Sequence, residues 1–235
     1  MQNISVCGIH TEIGKTAVSA ALCAEFGYSY FKLIQAGSEH DSARVASLAK
    51  SAGASVQIYP NGVSLNQPAS PHIASQAQGV SYDALSIALP ATSGVLVELA
   101  GGLYTPLGGK NEMELRGVNL KPNLGQSRTE QSPDSAFGGG FMIDYLATHS
   151  LATFLVCADY LGAINHTMLS LNALTSRGIR VLGVIVSGED RVLGEFLSRR
   201  GERVFSLPRF GVDGDFKAAA AWLGRQIRQV GVLDA

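Results

Sequence analysis

The chain has 235 residues, 46% hydrophobic and 16% charged, with a formal net charge of −1. This suits one α/β domain with a good core, excludes a disordered chain, and leaves no basic footprint for nucleic acid or an anionic membrane. Its three cysteines, Cys7, Cys23 and Cys157, are scattered through apolar runs without metal-ligand or disulfide spacing, and no run is long enough to span a bilayer, so a soluble cytoplasmic protein is expected.

Apolar runs alternate with helical patterns, which predicts βαβ units on a mostly parallel sheet. Residues 4–7 read as the first strand. They run into Gly8-Ile9-His10-Thr11-Glu12-Ile13-Gly14-Lys15-Thr16, followed by a helix over 15–25. Strand, glycine-bounded loop, Lys-Thr and helix is the grammar of a phosphate-binding loop. Gly14 lets the backbone approach phosphate, and the free amides of the helix start attract the anion. Lys15 adds a positive charge and Thr16 a hydroxyl for Mg²⁺.

A second strand is expected over 29–34, ending in Gln35-Ala36-Gly37-Ser38. Residues 41–52 carry apolar positions at Val45, Leu48 and Ala49 and read as a helix stopped by Gly53. The stretch 55–67 reads as irregular, 70–77 and 81–89 as helices, and 95–97 as a buried strand ending at Glu98. Residues 108–141 are rich in Gly, Asn, Ser and charge and lack periodicity. They are either a solvated excursion or a lid hinged at Gly108-Gly109 and Gly138-Gly139-Gly140. Helices over 142–148, 163–176 and 191–199 then alternate with strands over 152–157, 181–186 and 204–207. A closing helix over 216–230 carries Trp222, Leu223, Ile227 and Val230 on one face. The expected fold is a single P-loop NTPase-like α/β domain, a mostly parallel sheet with helices on both faces.

In open α/β sheets the ligand lies beyond the carboxyl ends of the strands. Polar or glycine-rich residues collect there, at 11–16, 32–38, 98–102, 159–165 and 187–190. Lys32 taken alone is an ordinary strand end, and Asp41 an ordinary helix cap. Glu98 says more: a carboxylate ending a buried strand must find a cation or donors, and with Thr16 it makes a Mg²⁺ pair.

These segments together resemble dethiobiotin synthetase. The loop is similar to that family's Gly-Thr-Asp-Thr-Glu-Val-Gly-Lys-Thr, which also has five residues between its glycines. Lys32-Leu33-Ile34-Gln35-Ala36-Gly37 resembles its Lys-Pro-Val-Gln-Thr-Gly, and Ser70-Pro71-His72 its Ser-Pro-His. Val97-Glu98-Leu99-Ala100-Gly101-Gly102 with Thr105-Pro106-Leu107 resembles Val-Glu-Gly-Ala-Gly-Gly and Thr-Pro-Leu. Leu161-Gly162-Ala163-Ile164-Asn165-His166 matches Leu-Gly-x-x-Asn-His. The order holds from residue 4 to about 210, and only 108–141 lacks a counterpart.

The resemblance implies an ATP- and Mg²⁺-dependent ligase that joins CO₂ to 7,8-diaminononanoate and closes a cyclic urea. It also implies a homodimer with sites at the interface. Thr16, Asp41 and Glu98 would hold Mg²⁺. Glu12, Ile13, Gly14, Lys15, Thr16 and Ala17 would cradle the phosphates, with Gly101 beside them. Thr11, Lys32 and Ala36 would face the substrate, Lys32 also the γ-phosphate, and Lys15, Lys32 and Thr11 form the expected catalytic set. Leu161, Gly162, Ile164 and Asn165 of the partner subunit would take the substrate carboxylate. Ser187 stands where many members read adenine with an asparagine, which makes backbone near Pro208 and Phe210 the other candidate readers and implies a relaxed base preference.

Other departures are His10 for aspartate, Leu33 for proline, Ala36 for a hydroxyl residue and Leu99 for glycine. His72 and His166 are expected to be structural hydrogen-bonding groups. The competing readings are a partitioning-ATPase-like switch, which would lack Leu-Gly-x-x-Asn-His and carry an extra early lysine, a related ligase with another substrate, and a non-catalytic relative.

Overall fold

In the computed structural model the described residues are 1–38, 40–108, 140–190, 192–211 and 215–233. The elements in chain order are β1 (Ile4–Gly8), α1 (Lys15–Phe26), β2 (Ser29–Lys32), β3 (Ile34–Ala36), α2 (Asp41–Ser51), β4 (Val63–Leu65) and α3 (Pro71–Gln78). After a 3₁₀ turn, Ala84–Ser86, come β5 (Val95–Glu98), α4 (Met142–Thr148), β6 (Ala152–Cys157), α5 (Ala163–Ser176), β7 (Val181–Ser187), α6 (Leu193–Arg199), β8 (Val204–Leu207) and α7 (Phe216–Val230).

Six strands form one sheet in the order β2-β5-β1-β6-β7-β8, every neighbouring pair parallel. A parallel sheet needs cover on both faces, which is why β1, β5 and β6 are buried at every position. Ile4, Val6, Leu96 and Phe154 point into a layer shared with Val18 and Leu22 of α1 and Leu223 and Ile227 of α7. Val95, Val97, Leu155 and Val184 point the other way, against Leu146 of α4, Leu174 of α5 and Leu197 of α6. The expected sheet with helices on both faces is what forms.

Four expectations need correction. The strand over 29–34 breaks at Leu33: β2 stays in the main sheet to Lys32, while β3 leaves it and pairs with β4 in a small parallel sheet. The stretch 55–67 is therefore not irregular throughout. It supplies β4, and Ile58 bridges to Tyr30. Gly62 permits this crossing, because a Cβ there would sit 2.6 Å from the Leu33 carbonyl oxygen. The helix over 81–89 reduces to the 3₁₀ turn, whose start is held by Asp83 accepting from the Leu85 amide at 3.2 Å and from the Ser86 hydroxyl at 2.8 Å. Leu85, Ile87 and Leu89 lean on the core at alternate positions, an extended rather than a helical period. In α7 the buried face is Phe216, Ala219, Ala220, Leu223 and Ile227, whereas Trp222 and Val230 are exposed. Trp222 lies over β8 instead and donates to the Ser206 hydroxyl at 3.1 Å.

Residues 109–139 and Arg191, where a loop and a helix start were expected, lie outside the described residues. The described residues on either side of 109–139 meet: Pro106 bridges Phe141, and the Leu107 amide donates to the Gly140 carbonyl at 2.9 Å. Among the described residues no helix is long and apolar enough to cross a membrane.

Candidate active site

The loop leaves the carboxyl end of β1, at the sheet's centre. Gly14 caps α1 in a left-handed conformation, φ 93°, and Glu12 shares that region at φ 57°. A Cβ on Gly14 would lie 2.2 Å from Ser187 Oγ, so glycine is needed for both conformation and clearance. Among the described residues no side chain caps the N-terminus of α1, and no acidic residue sits in its first turn. The amides of Lys15, Thr16 and Ala17 thus form an uncapped helix start, the geometry that receives an anion. Lys15 is buried and donates to the His10 carbonyl at 2.8 Å. Burial, helped by repulsion from Lys32, pulls its pKa down to about 8.

Beside the loop, four side chains from four elements converge. The register Lys32↔Glu98 sets the ends of β2 and β5 side by side. Lys32 Nζ lies 2.7 Å from Glu98 Oε1 and 2.6 Å from Asp41 Oδ2. Thr16 Oγ1 approaches the same two carboxylates, at 3.0 Å from Asp41 and 3.1 Å from Glu98. Asp41 is the first residue of α2, with His40 in the cap position, and its amide donates to Gln35 Oε1 at 3.1 Å. Lys32 is buried, which alone would lower its pKa, but the charges of Glu98 and Asp41 outweigh this and raise it above the ordinary lysine value.

The other oxygen of Glu98 accepts a hydrogen bond from the Tyr30 hydroxyl at 3.1 Å. Burial first, then the neighbouring Glu98 charge, holds the Tyr30 pKa well above 10, so the phenol stays a donor. All three cysteines are buried, and burial raises the thiols of Cys7 to about 11 and Cys157 to about 12. None is primed as a nucleophile.

Among the described residues no group of three or more His, Cys, Asp or Glu side chains is placed to hold a metal. The Thr16, Asp41 and Glu98 set is different in kind: one hydroxyl and two carboxylates, all oxygen, gathered around a positive charge. That donor set fits a hard divalent cation that keeps several waters and takes further oxygens from a nucleotide.

Two cavities lie at this end of the sheet. One of about 430 Å³ is lined by His10 and Thr11, the 101–105 turn, and Leu169 of α5. The second, about 520 Å³, is lined by Asp159, Leu161, Gly162, Ile164 and Arg209. Expected substrate residues are thus divided: Thr11 lines the first cavity, together with the expected nucleotide-binding Gly101, and Leu161, Gly162 and Ile164 line the second, with Asn165 exposed nearby. Ala36 is half-buried at the end of β3. Pro208 follows β8, and Phe210 packs edge-on against Phe216 with ring centres 4.8 Å apart. His72 hydrogen-bonds Ser70 at 2.9 Å and His166 the Tyr160 hydroxyl at 2.6 Å, as structural groups do.

Sequence reasoning missed Tyr30, Gln35 and the carbonyl of His10. Tyr30 carried a signal, since it lies two positions before Lys32 on a strand and so shares its face.

The family model described as AAA domain matches residues 2–114 and 130–211. The ATP-dependent dethiobiotin synthetase BioD of Campylobacter jejuni subsp. jejuni is 37% identical over 190 residues, which cover 81% of this chain and 78% of that protein. The enzyme of the same name from Rhodopseudomonas palustris is 36% identical over 209 residues, 88% of this chain and 83% of its own. That from Brucella ovis is 37% identical over 187 residues, 78% and 74% of the two chains.

Proposed function

The chain belongs to the family of ATP-dependent dethiobiotin synthetases, and we propose that the cluster of Thr16, Lys32, Asp41 and Glu98 beside the phosphate loop is where it carries out that family's reaction. It is an ATP-dependent ligase of biotin biosynthesis that forms carbon–nitrogen bonds. Its substrates on this reading are 7,8-diaminononanoate, CO₂ and ATP, and Mg²⁺ is the companion ion.

The observation that carries the reading is the convergence of Lys32, Asp41, Glu98 and Thr16 within 3.1 Å contacts of one another. One amine of the substrate adds to CO₂ and loses a proton to give a carbamate. A carbamate oxygen attacks the γ-phosphorus, and the bond to ADP breaks. The second amine attacks the carbonyl of the mixed anhydride, the ring closes and phosphate leaves. None of these steps needs a covalent bond to the protein, so catalysis reduces to placement and charge. The α1 amides and Lys15 hold the phosphates. Lys32 offers an ammonium to the carbamate and the transferring phosphoryl group. Thr16, Asp41 and Glu98 hold Mg²⁺, which neutralises phosphate charge when bound. Thr11 and the 430 Å³ cavity beside it receive the diamine. The Leu161–Asn165 segment of a second subunit takes the substrate carboxylate on the free helix-start amides of α5. Its supports are the left-handed Gly162, φ 97°, ahead of a helix that no described side chain caps.

Incubation with diaminononanoate, bicarbonate, Mg²⁺ and ATP should yield the cyclic urea, identified by mass, with phosphate release that requires both diamine and bicarbonate. Phosphate released equally without the diamine, and no cyclic urea, would place the chain among nucleotide switches instead.

A further inference from the structure

We propose that Tyr30 sets the cation preference of this site by reserving one oxygen of Glu98. The inference rests on the reading that Thr16, Asp41 and Glu98 hold the divalent ion. The two oxygens of Glu98 have separate partners. Oε1 faces Lys32 at 2.7 Å and Thr16 at 3.1 Å, the side on which the ion would be held. Oε2 accepts from the Tyr30 hydroxyl at 3.1 Å.

Tyr30 is fully buried, and its backbone is fixed on both edges. Its amide donates to the Gln57 carbonyl at 2.8 Å, its carbonyl accepts from the Tyr59 amide at 2.9 Å, and it lies in register with Leu96 of β5. The phenol therefore cannot follow Glu98 if the carboxylate turns. A buried carboxylate oxygen that gives up its donor is costly, so Glu98 keeps Oε2 on Tyr30 and presents Oε1 alone. One oxygen per carboxylate is what a small octahedral ion such as Mg²⁺ uses. A larger ion such as Ca²⁺ takes more ligands and gains from a carboxylate that chelates through both oxygens. Tyr30 withholds that second oxygen. Removing its hydroxyl makes the ion the most available partner for Oε2.

The test is calorimetric binding of ADP to the full chain in Mg²⁺ and, separately, in Ca²⁺, with no turnover required. Tyr30→Phe should raise the ratio of Ca²⁺-supported to Mg²⁺-supported affinity by about tenfold over wild type. In a Glu98→Gln background the same substitution should leave the ratio unmoved, because the coupling runs through Glu98. A Tyr30→Phe protein that binds ADP more weakly in both ions by the same factor, leaving the ratio at its wild-type value, holds Tyr30 to a packing role and overturns the inference. Glu98→Gln separates this from the cation reading. If it leaves cation-supported ADP binding unchanged, that reading falls and the inference with it. If it weakens binding while the Tyr30→Phe ratio stays at the wild-type value, only the inference falls.

Discussion

Lys32 is a buried ammonium in contact with two carboxylates, so its removal has two separable effects. Breaking a buried ion pair costs about 3–5 kcal/mol, because the surviving charges lose their partner. A divalent ion can supply the missing charge. Lys32→Ala should therefore melt lower than wild type without metal, yet gain more than wild type when Mg²⁺ is added. Phosphate release should fall by about 10²–10³-fold, the usual loss when a group aimed at developing charge is removed. A Mg²⁺-induced melting shift no larger than in wild type would separate the carboxylates from the cation, and near wild-type turnover would remove Lys32 from the catalytic set. Gly14 and Ser187 make a second residue-scale test. Ser187 packs on the loop, with its hydroxyl in the space a Gly14 side chain would need. It is too short to read a base edge as an asparagine amide does, so ATP and at least one other nucleoside triphosphate should support turnover within about tenfold. A preference for ATP of roughly a hundredfold would assign the reading to backbone at 208–210.

At the scale of elements, the parts legible in the sequence are those that one chain segment specifies by itself. β1 and α1 were readable because the loop's grammar is local. Glu98 was readable because a carboxylate closing an apolar strand is conspicuous. β3 and β4 were not, since each is three residues long and exists only through pairing with the other. The turn at Ala84–Ser86 was hidden because Ala84, Leu85, Ile87 and Leu89 satisfy a helical and an extended period about equally. Asp41 read as a cap because its partners, Lys32 and Thr16, arrive from elsewhere in the chain. Two predictions belong here. The residues on either side of 109–139 form a closed neck, where Pro106 bridges Phe141 and Leu107 bonds Gly140, and Tyr82 adds a 2.7 Å hydrogen bond to the Leu107 carbonyl. Replacing 109–139 by a short turn should leave the far-ultraviolet dichroism and the cooperativity of unfolding intact, and a loss of cooperative melting would show that the core depends on the segment. In α7, Asp215 accepts from the Ala218 amide at 3.0 Å. Asp215→Ala should cost about 0.5–2 kcal/mol in denaturant unfolding, as for a lost helix cap, with nucleotide binding unchanged. No change in midpoint would mean that the cap is dispensable.

For the whole molecule, the question is why the expected substrate residues fall in two cavities. Thr11 lines the first, while Leu161, Gly162 and Ile164 line the second, and the ring of His10 meets Tyr160 edge-on at 5.4 Å between them. Leu161 is 101% exposed, an apolar side chain that no described residue covers. A second copy that covers Leu161 and sets its α5 start over the first cavity would bring the two halves together. Sedimentation velocity should then report a dimer for the wild-type protein. Leu161→Asp should shift it towards the monomer. Because the side chain is fully exposed, the fold should change by no more than about 0.5 kcal/mol. The monomeric variant should still bind nucleotide, since loop, Lys15 and the carboxylate pair all belong to one chain, but it should form little cyclic urea. A monomer that closes the ring at the wild-type rate would mean that one chain holds the whole site, and the two cavities would then have to be joined by movement within it.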